Sequence, residues 1–320
     1  MAHQPKQADS LPAEIWLEII PHVEYTPSAL ANLRLTCKRL HKIIERHETG
    51  LVADIKRAQL PQTSTCLFPG LRIDSYRALS VAHTRLATLD EIHKHWLKVT
   101  CHSCELEWLK GRWERIHRAG LLLLYHLQDL EPARTHHADG MCDHNMFKDG
   151  TYCAKISLLQ RLPATSLACL LFKLIASIKI LRVYGPEPVH GRYAAEDSGL
   201  RSDIELAFEE LLLQEGPTMF VALLTDGHQK GDWALRLLNA EVANMFHRQS
   251  PLPSGLPKPS TLISALRQAL AIQAGCAVNE VVSKMWEILS STAFDDVHDA
   301  KLVSIVEGKE LEKGMKRMGF

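Results

Sequence analysis

The sequence predicts an all-α fold, on three observations. Leucine dominates the apolar set, in runs such as "LLLLYHL" (121–127) and "LACLLFKL" (167–174), while aromatic residues make up only 6% of the chain. Strands draw on β-branched and aromatic residues, so this profile favours helices. Apolar residues also recur at alternating spacings of three and four, the period of one helix face. Finally, Pro163, Pro217 and Pro259 stand near the starts of apolar-periodic segments, where helices tolerate proline.

In chain order, 1–9 is a polar, disordered start and 10–46 reads as three short helices. Pro12 fits the first turn, with Ser10 or Leu11 as flanking cap. Leu11, Ile15, Trp16, Ile19, Ile20 and Val23 then make an apolar face too wide for a simple seam. Pro21 should end this helix near Ile20. Thr26-Pro27 opens the next, with the threonine as N-cap. Leu30, Leu33, Cys37, Leu40 and Ile44 follow at alternating three and four, with Lys38, Arg39, Lys42 and Arg46 off that line.

From about residue 54 to 320 the pattern is a larger, irregular helical body. Residues 84–130 read as one long bent helix or two consecutive ones, with a phase slip near "CHSCELEW". Further helices are expected at 152–162, 164–184, 200–214, 217–225, 231–249, 260–273 and 277–290. Proline, glycine and polar clusters mark 131–150, 185–199 and 251–259 as loops. No period of 20 to 50 residues occurs, which disfavours solenoid and propeller arrays.

Charge and cysteine content exclude several function classes. Lys+Arg and Asp+Glu balance at 37 each, so no global field points to nucleic acid or to a membrane surface. The start lacks the apolar core of a signal peptide. The most apolar stretch, 167–181, is interrupted by Lys173 and Lys179, read as snorkelling lysines, and is short for a membrane span. Eight cysteines in 320 residues are too sparse for a disulfide scaffold and read as reduced thiols. A cytoplasmic or nuclear location is expected.

Catalytic signatures are absent: there is no G-x-S-x-G, G-x-G-x-x-G, P-loop or H-E-x-x-H. "GHQKGDW" (227–233) reads as an ordinary helix entry. Nine of the 17 histidines fall between residues 83 and 144. Cys101 and Cys104 form a CxxC, and 131–150 adds His136, His137, Asp139, Cys142 and His144. A tetrahedral zinc site needs a second tightly spaced ligand pair and a turn at the first. "TCHSCELEW" instead lies in a helical run, so two buried thiols and a polar loop are the expectation, with no metal and no cofactor.

The N-terminal residues carry a resemblance. "LPAEIWLEII" (11–20), a break, then "LRLTCKRLHKII" (33–44) is similar to the F-box, a three-helix module of some forty residues, over residues 10–50. Leu11-Pro12, Glu14, the Ile15/Ile19/Ile20 stripe, Leu30 and "CKRL" stand where the family pattern has them; Leu40 replaces the tryptophan of many members. A lone F-box before an anonymous helical body is similar to many fungal F-box proteins. The resemblance implies docking on a Skp-type adaptor and, through it, a cullin with its ubiquitin-charged enzyme. The adaptor-binding residues it implies are Leu11, Pro12, Ile15, Ile19, Ile20, Leu30, Leu33, Cys37, Lys38, Leu40 and Ile44. Residues 54–320 would then hold an unknown protein client, with no catalytic residue of their own. Physical chemistry points the same way: a module this small falls short of core, and leftover apolar helix surface invites a partner. Two alternatives are an F-box protein working outside a ligase, and a metal-dependent enzyme built on the His/Cys-rich region 93–144.

Overall fold

The computed structural model describes residues 11–60, 67–68, 70–102, 110–130, 150–186, 198–224, 230–249, 261–292, 294 and 299–309. The fold is all-α, with no strand among the described residues. The chain divides into two compact units, one ending at Ala87 and one beginning at Thr88.

The first unit opens with α1 (Ala13–Ile19) and a 3-10 turn (Ile20–His22) carrying Pro21. Proline therefore does end the helix, but by tightening its last turn rather than breaking it. Pro12 is itself the N-cap, extended at φ −54° and ψ 151°, rather than a first-turn residue. Helix α2 (Pro27–Thr36) starts as expected: Thr26 Oγ1 accepts the Ala29 N–H at 3.0 Å and Pro27 follows. Helix α3 (Lys38–Arg46) is capped by Cys37, whose sulfur accepts the Leu40 N–H at 3.4 Å.

Two further segments complete this unit. Helix α4 (Glu48–Gln59) and the first turns of α5 (Tyr76–His102) supply Leu51, Val52, Ile55, Tyr76 and Leu79. These share one buried cluster with Ile20, Tyr25, Leu30, Leu40 and Ile44. Polar contacts fasten α4 and α5 in place. The Gln59 amide donates to the carbonyls of Pro21 (2.7 Å) and Val23 (2.6 Å) and accepts the Tyr25 N–H (2.7 Å), pinning the turn after α1. Tyr76 donates its hydroxyl to the Ile44 carbonyl at 3.0 Å, and its N–H to Glu48 at 2.7 Å. A border at residues 50–54 would cut α4 through its buried face. The core that three short helices lack comes from residues 51–79.

In the second unit α6 (Arg112–Gln128), α7 (Gly150–Arg161), α8 (Ala164–Tyr184), α9 (Ser198–Glu215), α10 (Pro217–Leu224) and α11 (Lys230–Gln249) follow. Helix α12 (Leu262–Ala274), a 3-10 turn (Val278–Glu280), α13 (Val281–Ser291) and α14 (Asp299–Val306) complete it. Thr261 caps α12 by accepting the Ser264 N–H at 3.2 Å, and Gly275 ends it in the left-handed conformation (φ 64°). Helix α8 is the centre, packed by α6, α12 and α13. It is 21 residues long and apolar enough to cross a membrane, yet 78% of its apolar window is buried inside the chain. That is the environment of a core helix. Gly120 lets α6 approach it closely: a Cβ there would collide with Lys173 Cβ and lie 2.7 Å from the Cys169 carbonyl. Trp113, Phe172 and Trp286 form an aromatic knot with ring separations of 5.0–5.6 Å.

Candidate functional site

Helix α1 is apolar on two faces. Trp16, Leu17 and Ile20 turn inward, onto or into the buried cluster. Ile15 and Ile19, four residues apart, form a row on another face, with Leu11 just before the helix start. Ile15 is 38% and Ile19 41% exposed, Val23 continues beyond the helix at 38%, and Leu11 is half-buried beside exposed Pro12. Two isoleucines on one helix face, both partly in water, are unspent apolar surface of the first unit.

The eleven residues named from the sequence as adaptor-binding therefore separate. Leu11, Pro12, Ile15, Ile19 and Lys38 are accessible. Ile20, Leu30, Leu40 and Ile44 are buried in the unit's own core, Ile44 completely; they cannot touch a partner in the folded chain and hold the helices together instead. Leu33 and Cys37 are half-buried against that core. The three-and-four spacing identified an apolar stripe, and a stripe at that period is what a buried face shows. Leu35, 83% exposed on α2, was missed. Its signal was a leucine out of phase with Leu30 and Leu33.

Helix α3 adds charge. An open groove of about 390 Å³ is lined by Ala13, Lys38, Arg39, Lys42, Ile43, Arg46 and His47, with no acidic side chain on its wall. The one acid of α3, Glu45, pairs with Arg34 on α2.

The second unit gathers titratable groups inside. A cavity of about 70 Å³ between α5 and α6 is lined by Asp90, His93, Trp96, Glu114, His117 and Arg118 among others. His93 Nδ1 lies 3.1 Å from Glu114 Oε1. The His117 ring stacks on Trp96 at 4.0 Å, and its Nε2 has no hydrogen-bond partner. Burial, then the nearby Lys173 and His93, lower the His117 pKa well below its usual range, so the imidazole is neutral. Two carboxylates and two imidazoles thus surround a space fit for a few waters. No three described His, Cys, Asp or Glu side chains are grouped as metal ligands. The Cys104, His136, His137, Asp139, Cys142 and His144 positions lie outside the described residues, as does the side chain of Cys101.

Lys173 does not snorkel. It is fully buried, its Nζ donating to Ser177 Oγ at 2.6 Å and resting 4.0 Å from the Phe220 ring centre. Burial drives its pKa far below the ordinary lysine value, leaving a neutral amine. Glu210, also wholly buried, accepts the N–H groups of Leu262 and Ile263 at 3.0 Å each and receives Gln214 Nε2 at 3.0 Å. It caps α12 from another helix, which favours a carboxylate there. Glu209 pairs with Arg267 at 3.0 Å, yet burial still pushes its pKa up to about 7. These contacts join helices remote in sequence, so they read as architecture.

No family model, no curated protein and no solved structure matches this chain.

Proposed function

We propose that this chain is a substrate-receptor subunit of a Skp–cullin–F-box ubiquitin ligase. The observation that supports this best is the outward pair Ile15 and Ile19, preceded by Leu11 and Pro12, on a helix whose opposite side is anchored in its own core. Such a row fits a helix-in-groove partner, and the sequence around it resembles an F-box. The docking set is narrower than the resemblance implied: Leu11, Pro12, Ile15 and Ile19, with Val23 and Lys38 at its rim. The buried residues of "CKRL" and of α2 hold that set in place.

In this reading the chain has no active site of its own. The first unit binds the adaptor, and the second holds a protein client so that the client's lysines stay at high effective concentration near the charged enzyme. The test is affinity purification of the full-length chain with proteasome inhibition, scored for a Skp-type adaptor and a cullin. Co-purification of both, lost in a Leu11→Ala/Pro12→Ala variant that keeps its helical circular dichroism, is the expected result. An adaptor without a cullin would place the chain in a non-ligase complex; neither protein in the eluate would end the proposal.

A further inference from the structure

The α3 groove is chemically distinct from the apolar row on α1. Lys38, Lys42 and Arg46 are spaced by four, so they form a row along one side of α3, with Arg39 beside it and His47 just past its end. All five side chains are exposed, over a floor of half-buried Ala13 and buried Ile43. Lys38, Lys42 and Arg46 form no ion pair among the described residues, although the chain as a whole carries equal numbers of acids and bases. Glu45 is the only acid on the helix, and Arg34 engages it. A surface that concentrates one sign of charge in a neutral chain creates a local field for the opposite sign.

We infer that this groove takes an acidic peptide segment of the protein that covers the α1 row. The inference deepens the adaptor reading and rests on it for the partner's identity, but not for the chemistry of the groove. Its volume of about 390 Å³ sits at the low end of the roughly 300–1,000 Å³ of ligand clefts, room for a short run of side chains and not for a domain. Ala13, which lines the groove, stands on α1 between Leu11 and Ile15, so one partner can engage both features. The isoleucines supply area without direction. The cationic row supplies orientation and encounter rate, because opposite charges steer association and fix register.

The experiment uses the full-length chain and a fluorescent oligoglutamate peptide, read by anisotropy at low and at near-physiological salt. The expected result is measurable binding that weakens at least about tenfold in Lys42→Glu/Arg46→Glu and falls as salt rises. The milder Lys42→Gln/Arg46→Gln should fall in between. Both pairs are exposed, and circular dichroism checks that the helices persist. Ile15→Ala/Ile19→Ala, which adds no charge, should leave peptide affinity unchanged, which separates the groove from the α1 row. Peptide binding that is absent, or equal in wild type and charge reversal, overturns the inference. So does a polyuridine oligonucleotide or a phosphatidylserine vesicle that outcompetes the peptide in a Lys42- and Arg46-dependent way. If purified adaptor fails to bind the wild-type chain at all, the adaptor reading falls, while the peptide arm still decides the groove. If the adaptor binds and the charge reversal leaves its affinity intact, the groove inference falls and the adaptor reading stands.

Discussion

The two units differ in how many ionisable groups they bury. The first leaves apolar side chains in water at Ile15, Ile19, Val23 and Leu35, and the polar groups it buries include the satisfied hydroxyl of Tyr76 and Arg85, stacked over the Phe68 ring. The second takes ionisable groups out of water, at Lys173, Glu210, Lys155 and His117, around a helix that is almost entirely buried. Exposed apolar surface is weakly unfavourable in a free monomer and is recovered when a partner covers it. Buried ionisable groups are unfavourable unless paired, and their pairs join elements remote in sequence: Glu210 to Leu262, Lys155 to Gln214. Both units leave apolar side chains in water, the second at Ile272, Val278 and Val282, but it is the second whose described core is tied together by contacts of several buried ionisable groups.

The largest effect should come from exchanging the roles of inner and outer residues in the first unit. Leu40→Ala, at a position 2% exposed, should lower stability by about 2–5 kcal/mol, whereas Ile15→Ala should change it by about 0.5 kcal/mol or less. Chemical denaturation of the two variants measures this directly. Equal losses would mean that both faces of α1 belong to the core, and the comparison would collapse.

Glu210→Ala should come next, at roughly 2–4 kcal/mol, because it leaves two buried N–H groups at the start of α12 without acceptors. Glu210→Gln should recover part of the loss by keeping one acceptor oxygen. Thermal unfolding of the full chain tests both.

Lys173→Met should act in the other direction, raising stability by about 1–3 kcal/mol near neutral pH, since an amine in the core is replaced by a thioether of similar length. The pH dependence carries the sign. Folded Lys173 is neutral, whereas in the unfolded chain it binds a proton up to its ordinary pKa of 10.5. Between its depressed folded pKa and 10.5 the unfolded state holds the extra proton, so wild-type stability rises with pH. The advantage of Lys173→Met should therefore shrink as pH approaches 10.5. Glu209 works oppositely: raised from 4.5 to about 7, it binds a proton in the folded state first, and its contribution fades as pH climbs through that window. Unfolding temperatures across pH 5 to 10 resolve the two opposite slopes, that of Glu209 being confined to the window between 4.5 and about 7 because Arg267 offsets part of the burial penalty.

Much of this was legible from residue spacing. The helix at 164–184, the Thr26 cap and the three-helix start follow from rules of period and capping that act within a few residues. Helix α4 was not foreseen, since Gly50 and its charged last turn blur the period over Leu51, Val52 and Ile55. Helix α14 was also unforeseen; it is short, and its core partners on α6 and α8 lie far back in the chain. The candidate site was legible as a set of apolar residues but not as a surface. A stripe at Leu30, Leu40 and Ile44 and a row at Leu11, Ile15 and Ile19 look alike in sequence, and only the packing of α4 and α5 decides which is covered. Lys173 and Glu210 were invisible for a related reason. Whether a charged residue is buried depends on partners such as Ile263, 53 residues from Glu210.

The most direct test of the central claim is the affinity of a purified Skp-type adaptor for the full-length chain carrying Ile15→Asp/Ile19→Asp, measured beside its unfolding temperature. The outward row should lose about 2 kcal/mol or more of binding, roughly thirtyfold in Kd, with the unfolding temperature unchanged. Adaptor affinity within about twofold of wild type in this folded variant would contradict the account, because the surface left open on α1 would then not be where the partner sits.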